Sequence, residues 1–131
     1  MSVFDVFSIQ TDLAYVNVGM HEGKMYSVRL QHSTVMSRWE HPALDRPPVK
    51  FHGVAEYELH AVPHETRVIS AMQLGDVVRI NDVPYMVLRP MHPVHQVSGI
   101  MLLNIATHQL SAVPGNTEAV KAYETSWKII R

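Results

Sequence analysis

The 131-residue chain contains no cysteine. A disulfide framework, thiol catalysis and cysteine-type zinc sites are therefore excluded at the outset. An excess of charge of either sign is also missing: 11 Lys plus Arg stand against 12 Asp plus Glu, a formal net charge of -1. Without a global positive field to hold a polyanion, a dedicated nucleic-acid binder is disfavoured. Arg29, Arg38, Arg46 and Arg67 are dispersed among acids, and no basic run is interleaved with aromatics. Long apolar runs are lacking too. Gly99–Leu103 is typical of the runs present, far below the ~20 residues that span a bilayer. The N-terminus carries Asp5 and Asp12 where a signal peptide needs a basic start and an unbroken apolar stretch. The expectation is a soluble protein of the cytoplasm with no membrane partner. Glycine is scarce, at 6 residues, and neither a Gly-x-Ser-x-Gly elbow nor a phosphate-cradling loop occurs.

What is abundant is apolar material and histidine. Hydrophobic residues make up 47% and charged residues 18%, enough to bury one core at this length. Nine His are many for so short a chain: 21, 32, 41, 52, 60, 64, 92, 95 and 108. A metal site needs such side chains converging from rigid elements. His52 and His60 lie roughly 26 Å apart along one strand at ~3.3 Å per residue. His60/His64 and His92/His95 straddle Pro63 and Pro93 at strand exits, and His64-Glu65 is not followed by a second zinc-ligand His. No metal or other cofactor is expected. Glu56 and Glu58 read as a charged outer face that protects a strand, not as an acid–base pair. The chain is not expected to be an enzyme.

Strand signals dominate. Residues 12–32 read as a hairpin: Ala14–Val18, a turn holding Gly19 and Gly23, then alternation of Met25, Ser27 and Arg29 against Tyr26, Val28 and Leu30. Phe4, Val6 and Phe7 form an apolar cluster expected to dock on the core. In residues 50–61, Phe51, Gly53, Ala55, Tyr57, Leu59 and Ala61 fall on one face, with His52, Glu56, Glu58 and His60 on the other, until Pro63 stops the run. Residues 68–74 fit a helical turn or a strand. Runs at 77–81, 84–90 and 99–107 follow, broken by Asn81-Asp82 and by the MHPVHQVS segment. Short strands joined by turn residues predict a mainly β fold, a small antiparallel barrel or sandwich over residues 1–108.

Two segments break that pattern. Residues 33–49 hold Pro42, Pro47 and Pro48 among charges, which predicts a long loop. Trp39 within it reads as folded back over the core, with a partner contact as the alternative. In residues 109–131, Val120, Tyr123, Trp127 and Ile130 fall at helical spacing after a Pro114–Thr117 turn. This predicts an extended, helical C-terminal arm, docked either on its own barrel or on a neighbouring subunit.

The stretch Leu74-Gly75-Asp76-Val77-Val78-Arg79-Ile80, Asn81-Asp82, Val83-Pro84-Tyr85-Met86-Val87-Leu88 and Gly99-Ile100-Met101-Leu102-Leu103-Asn104 resembles the head–tail joining proteins of tailed bacteriophages. These are also called head-closure, stopper or neck proteins. The likeness spans residues 74–105, with looser agreement back to Phe51. Asp82 stands where the family's tight turn has Gly, a change that an Asp able to adopt left-handed backbone tolerates. The His92–Ser98 segment replaces the Asp-Gly pair before the family's last strand. The resemblance implies a virion subunit without chemistry, assembled in the host cytoplasm into a homo-oligomeric ring, hexameric or dodecameric. It would bind portal- or adaptor-side and tail-side proteins, retain the packaged DNA and touch that DNA only incidentally. Interface candidates are Arg38, Trp39 and Arg46 in the 33–49 loop, His92 and His95 in the 91–98 loop, and Tyr123, Trp127 and Ile130 in the arm. The 8 Met suit adaptable contacts or core filling. A tail-terminator or tail-tube subunit is the alternative within the virion. A His-rich, metal-dependent, cupin-like barrel enzyme is the alternative outside it.

Overall fold

The computed structural model describes residues 2–8, 14–21, 24–31, 34–40, 50–88 and 99–130. They form ten strands: β1 (Asp5–Ser8), β2 (Ala14–His21), β3 (Lys24–Gln31), β4 (Thr34–Glu40), β5 (Lys50–Val68), β6 (Val77–Ile80), β7 (Val83–Leu88), β8 (Ile100–Asn104), β9 (Leu110–Val113) and β10 (Glu118–Ile130). One short 3-10 turn, Ile69–Ala71, lies between β5 and β6. The strands make a single antiparallel sheet in the order β4-β3-β2-β1-β5-β10-β6-β7-β8-β9. The mainly β, barrel-like expectation holds: the sheet curls into a half-barrel.

Curling brings the two ends of the sheet over one core. Val6, Val16, Val18, Tyr26 and Val28 from β1–β3 pack with Val77, Met86, Leu88, Met101 and Leu103 from β6–β8, while Ala55 and Trp127 sit at the pivot. On the other side of β6–β8, Val78, Val87 and Leu102 pack under Ile69 and Met72 of the 3-10 turn and its exit. Strands covered on both faces need apolar side chains at consecutive positions, which is why Met86-Val87-Leu88 and Met101-Leu102-Leu103 read as unbroken runs. The ambiguous 68–74 stretch resolves as that covering turn. The N-terminal cluster docks as expected, with Val6 and Phe7 fully buried on β1.

Asn81 and Asp82 adopt φ of 51° and 63° between β6 and β7. Two consecutive left-handed residues are the signature of a two-residue hairpin whose twist matches its strands. Asp82 therefore does carry the turn that glycine would carry. Asp82→Gly completes the favoured Asn-Gly pair and should stabilise the domain by about 0.5 kcal/mol, a small upward shift of Tm. An unchanged or lower Tm would show that the turn is unstrained.

Several sequence expectations are corrected. The C-terminal segment is no helical arm: β10 is a 13-residue strand inside the sheet, paired with β5 on one side and β6 on the other. Over its last eight residues it alternates strictly. Tyr123, Thr125, Trp127 and Ile129 are buried or half-buried, while Glu124, Ser126, Lys128 and Ile130 are exposed. The register shift between Lys121 and Tyr123 changes the phase, so apolar residues at 120, 123, 127 and 130 imitate a helical stripe. Residues 34–40 of the expected loop form β4, because all three prolines of that stretch fall after Glu40. The remainder, 41–49, lies outside the described residues.

Pro63 does not end β5, which runs on to Val68. Between the pairs Ala61↔Tyr123 and Glu65↔Lys121 the register slips, and Pro63 falls within that bulge, where its missing N–H breaks no ladder bond. Phe51 is not on the core face either. Gly53 adopts φ 121°, and the β1–β5 register shifts by one residue between Val6↔Gly53 and Phe7↔Phe51. A one-residue slip turns side chains to the opposite face, so Phe51 is 58% exposed while Ala55 remains buried.

Candidate assembly surface

The sheet's longest pairing, β5 with β10, organises the surface. Tyr57 and Trp127 are cross-strand partners on its inner face, with ring centroids 5.2 Å apart. Burial pushes the Tyr57 phenol above its ordinary pKa, since the ionised form would lose hydration. On the outer face Glu56, Glu58 and His60 lie opposite Lys128, Ser126 and Glu124. Val54 and Ile130, also paired, are 44% and 43% exposed beside Phe51, which leaves an apolar patch on this face. β1 covers the far edge of β5 only over Lys50–Val54, with one further bond from the Ala55 N–H to the Phe4 carbonyl. Among the described residues, the edge from Glu56 to Val68 has no strand partner. Such an edge offers main-chain donors and acceptors to another chain. Glu56, Glu58, Glu65 and Arg67 along it keep the strand hydrated, with Arg67 and Glu65 forming an exposed ion pair at 2.7 Å.

A second polar group fastens this ladder to the rest of the sheet. Gly75 adopts φ 89°, and a Cβ there would lie 2.6 Å from the Thr125 hydroxyl. The Thr125 hydroxyl instead donates to the Gly75 carbonyl at 2.9 Å. The neighbouring Asp76 is buried; its carboxylate accepts from the Gln73 N–H at 2.9 Å and faces the Lys121 ammonium at 3.5 Å. Lys121 also reaches Glu124 at 2.9 Å. That hydrogen bond holds the Lys121 pKa above its ordinary value, the charge of Asp76 adding to it against the effect of burial. The same hydrogen bond and the charge of Lys121 hold the Glu124 carboxyl below its ordinary range, with a smaller contribution from His60. The Gly-Asp pair of the family resemblance is thus a structural clip from the start of β6 to β10.

The clip carries a pH signature. A lowered carboxyl pKa stabilises the fold above its unfolded value and loses that contribution as pH falls through the folded one. A raised ammonium pKa stabilises below its unfolded value and loses that contribution as pH rises through the folded one. The advantage of the native chain over Lys121→Met should therefore be fullest between about pH 5 and 10 and shrink outside that window. Thermal melts of both proteins across pH check this, and parallel curves would refute the assignment.

Of the residues proposed from sequence for an interface, Ile130 is exposed on the outer face and Tyr123 is half-buried against the core. Trp127 is a correction: it is 6% exposed and belongs to the core, so its ring presents no surface to a neighbour. Arg38 and Trp39 lie on β4, whose side chains are outside the described set, and Arg46, His92 and His95 fall outside the described residues. The histidines that are described do not converge. His52 bonds Ser8 at 3.1 Å at one end of β5, and His60 bonds Ser126 at 2.8 Å midway along it. Among the described residues no three His, Asp or Glu are grouped to hold a metal ion. The His60–Ser126 pair has the elements of a base and a nucleophile but sits on an exposed strand face, whereas such pairs are activated in desolvated sites. No helix among the described residues is long and apolar enough to cross a membrane. The open edge, Thr125 and the Lys121 cluster escaped the sequence reading because each depends on pairing between residues some fifty positions apart. No protein-family model, curated protein or solved structure matches the chain, so its own geometry carries the functional reading.

Proposed function

We propose that the protein is a structural assembly subunit without catalytic chemistry, and that its assembly is the head-closure ring at the head–tail connector of a tailed phage. The observation that carries the assembly reading is the surface of β5. A 13-residue stretch of strand edge, from Glu56 to Val68, has no strand partner among the described residues and adjoins an exposed apolar patch of Phe51, Val54 and Ile130. Open edges and apolar patches of this kind are surfaces that partner chains cover. A net charge of -1 suits protein–protein contact better than a grip on DNA. The sharper assignment rests on the resemblance of residues 74–105, whose glycines and turn fasten a rigid scaffold.

A ring subunit of this kind takes its order from its neighbours. The purified chain should sediment as a small species alone and join a six- or twelve-fold ring with the portal and adaptor proteins. Analytical ultracentrifugation and electron microscopy read both states. A free monomer in the presence of both neighbours would overturn the proposal. Tubes formed by the chain alone would replace it with the tail-tube reading.

A further inference from the structure

The N-terminus folds back in a tight turn. The Asp5 N–H donates to the Ser2 carbonyl at 3.1 Å, and the Ser2 N–H donates to the Asp5 carboxylate at 2.7 Å. Phe4, the third residue of that turn, adopts φ 71°. Positive φ at this position suits glycine or asparagine, and a bulky side chain there is an outlier held by its surroundings. Buried Asn17 is the clasp: its carbonyl accepts from the Phe4 N–H at 2.6 Å, and its side-chain amide donates to the Ser2 carbonyl at 2.9 Å. The Phe4 ring is thereby pressed between three others, 5.7 Å from Tyr57, 5.8 Å from Trp127 and 5.0 Å from His108. Those rings come from β5, β10 and the β8–β9 turn, so Phe4 plugs the seam where the two halves of the sheet meet. Beneath it, the buried Trp127 indole N–H has no acceptor among the described residues.

We propose that the pocket filled by Phe4 is an exchange site that receives the N-terminal segment of a neighbouring copy when the chain assembles. The occupant is a second copy because the pocket already accommodates this sequence, and exchange of a terminal segment reuses the same contacts. Closed within one chain, the segment keeps two defects: a left-handed phenylalanine and an unmet buried donor. Delivered from a neighbour, the segment can run extended, which relieves the turn and can present a backbone carbonyl to the indole. The turn thus holds the monomer closed at a cost that assembly removes. This inference rests on the self-assembly reading above.

Cross-linking separates the two ideas. Val3 and Leu110 side chains come within 3.8 and 3.9 Å of the point where a Cβ on Gly19 would sit, so they share one locality. The chain has no native cysteine to compete. Val3→Cys and Leu110→Cys, prepared separately, mixed and treated with a short bismaleimide, should link to each other at least tenfold more in the assembled fraction than in the monomer. An assembled fraction in which the two singly substituted chains do not link, while a chain carrying both substitutions links within itself, overturns exchange and leaves assembly standing. The absence of any assembled fraction with the portal and adaptor proteins present overturns ring assembly, and exchange with it. Phe4→Asn guards against misfolding at Leu110, since asparagine tolerates the turn while removing the ring. It should keep the circular dichroism of the fold and lower the fraction that enters the assembly with the portal and adaptor proteins at least tenfold; an unchanged assembled fraction overturns exchange.

Discussion

Replacing Gly99 with alanine should cost about 4 kcal/mol or more, a large share of the stability of an ordinary domain. Gly99 opens β8 with φ 111°, a backbone region that side-chain-bearing residues occupy only under strain. A Cβ at this position would lie 2.1 Å from the Val113 carbonyl oxygen and 2.7 Å from its carbon. The obstacle is backbone, so no rotamer change relieves it. Relief requires β8 and β9 to part, and the Ile100↔Val113 pair at their junction would be the first broken. Circular dichroism in a urea titration should show a large loss of midpoint or no folded baseline. A Gly99→Ala chain with a native midpoint would mean that the β8–β9 junction is mispositioned. The same position was expected from sequence to begin a strand, and its glycine proves to be there for close backbone approach.

Truncating Trp127 to alanine comes next, with an expected loss of about 3–5 kcal/mol. The indole touches the core at its pivot, against Tyr57 and Phe4, and connects the β1–β3 side to the β6–β8 side. Trp127→Phe should cost much less, about 1–2 kcal/mol, because it keeps an aromatic ring and removes an N–H that has no partner among the described residues. Equilibrium unfolding of the two variants gives the comparison. If phenylalanine proved as damaging as alanine, the indole N–H would have to be making a hydrogen bond. The pair of variants also tests the placement of the C-terminal segment inside the sheet. A tryptophan on a docking arm would be replaceable with little effect on the isolated chain, whereas a pivot residue is not.

Much of the fold was legible where the information is local. The period-2 pattern of Tyr26 and Val28, the Asn81-Asp82 turn and the apolar runs of β7 and β8 each signal structure within a few residues. The β10 strand was locally ambiguous. Its alternation from Tyr123 to Ile130 competes with a helical reading of residues 120, 123, 127 and 130, and local pattern alone does not decide between them. Pairing with β5 does, because the Glu118–Ile130 strand gains ladder bonds along nearly all of its length. Phe51 departs from its alternation for a related reason. Perfect alternation assumes a regular strand, and the Gly53 bulge inverts the phase just before it.

Histidine content shows the same division. Nine His suggest metal chemistry by number, yet spacing along the chain already separated His52 from His60, and the structure gives each a serine partner of its own. By itself, then, the sequence determined a cysteine-free, near-neutral, mainly β domain and the positions of its local hairpins. Tertiary structure alone decided that residues 118–130 lie inside the sheet, that the edge of β5 from Glu56 to Val68 has no strand partner among the described residues, that Lys121 meets Asp76, and that Phe4 is strained over Trp127. Strand alternation and turns depend on neighbours a few residues away. Register, edges and aromatic seams depend on partners brought together from tens of residues apart, and only the folded chain specifies those.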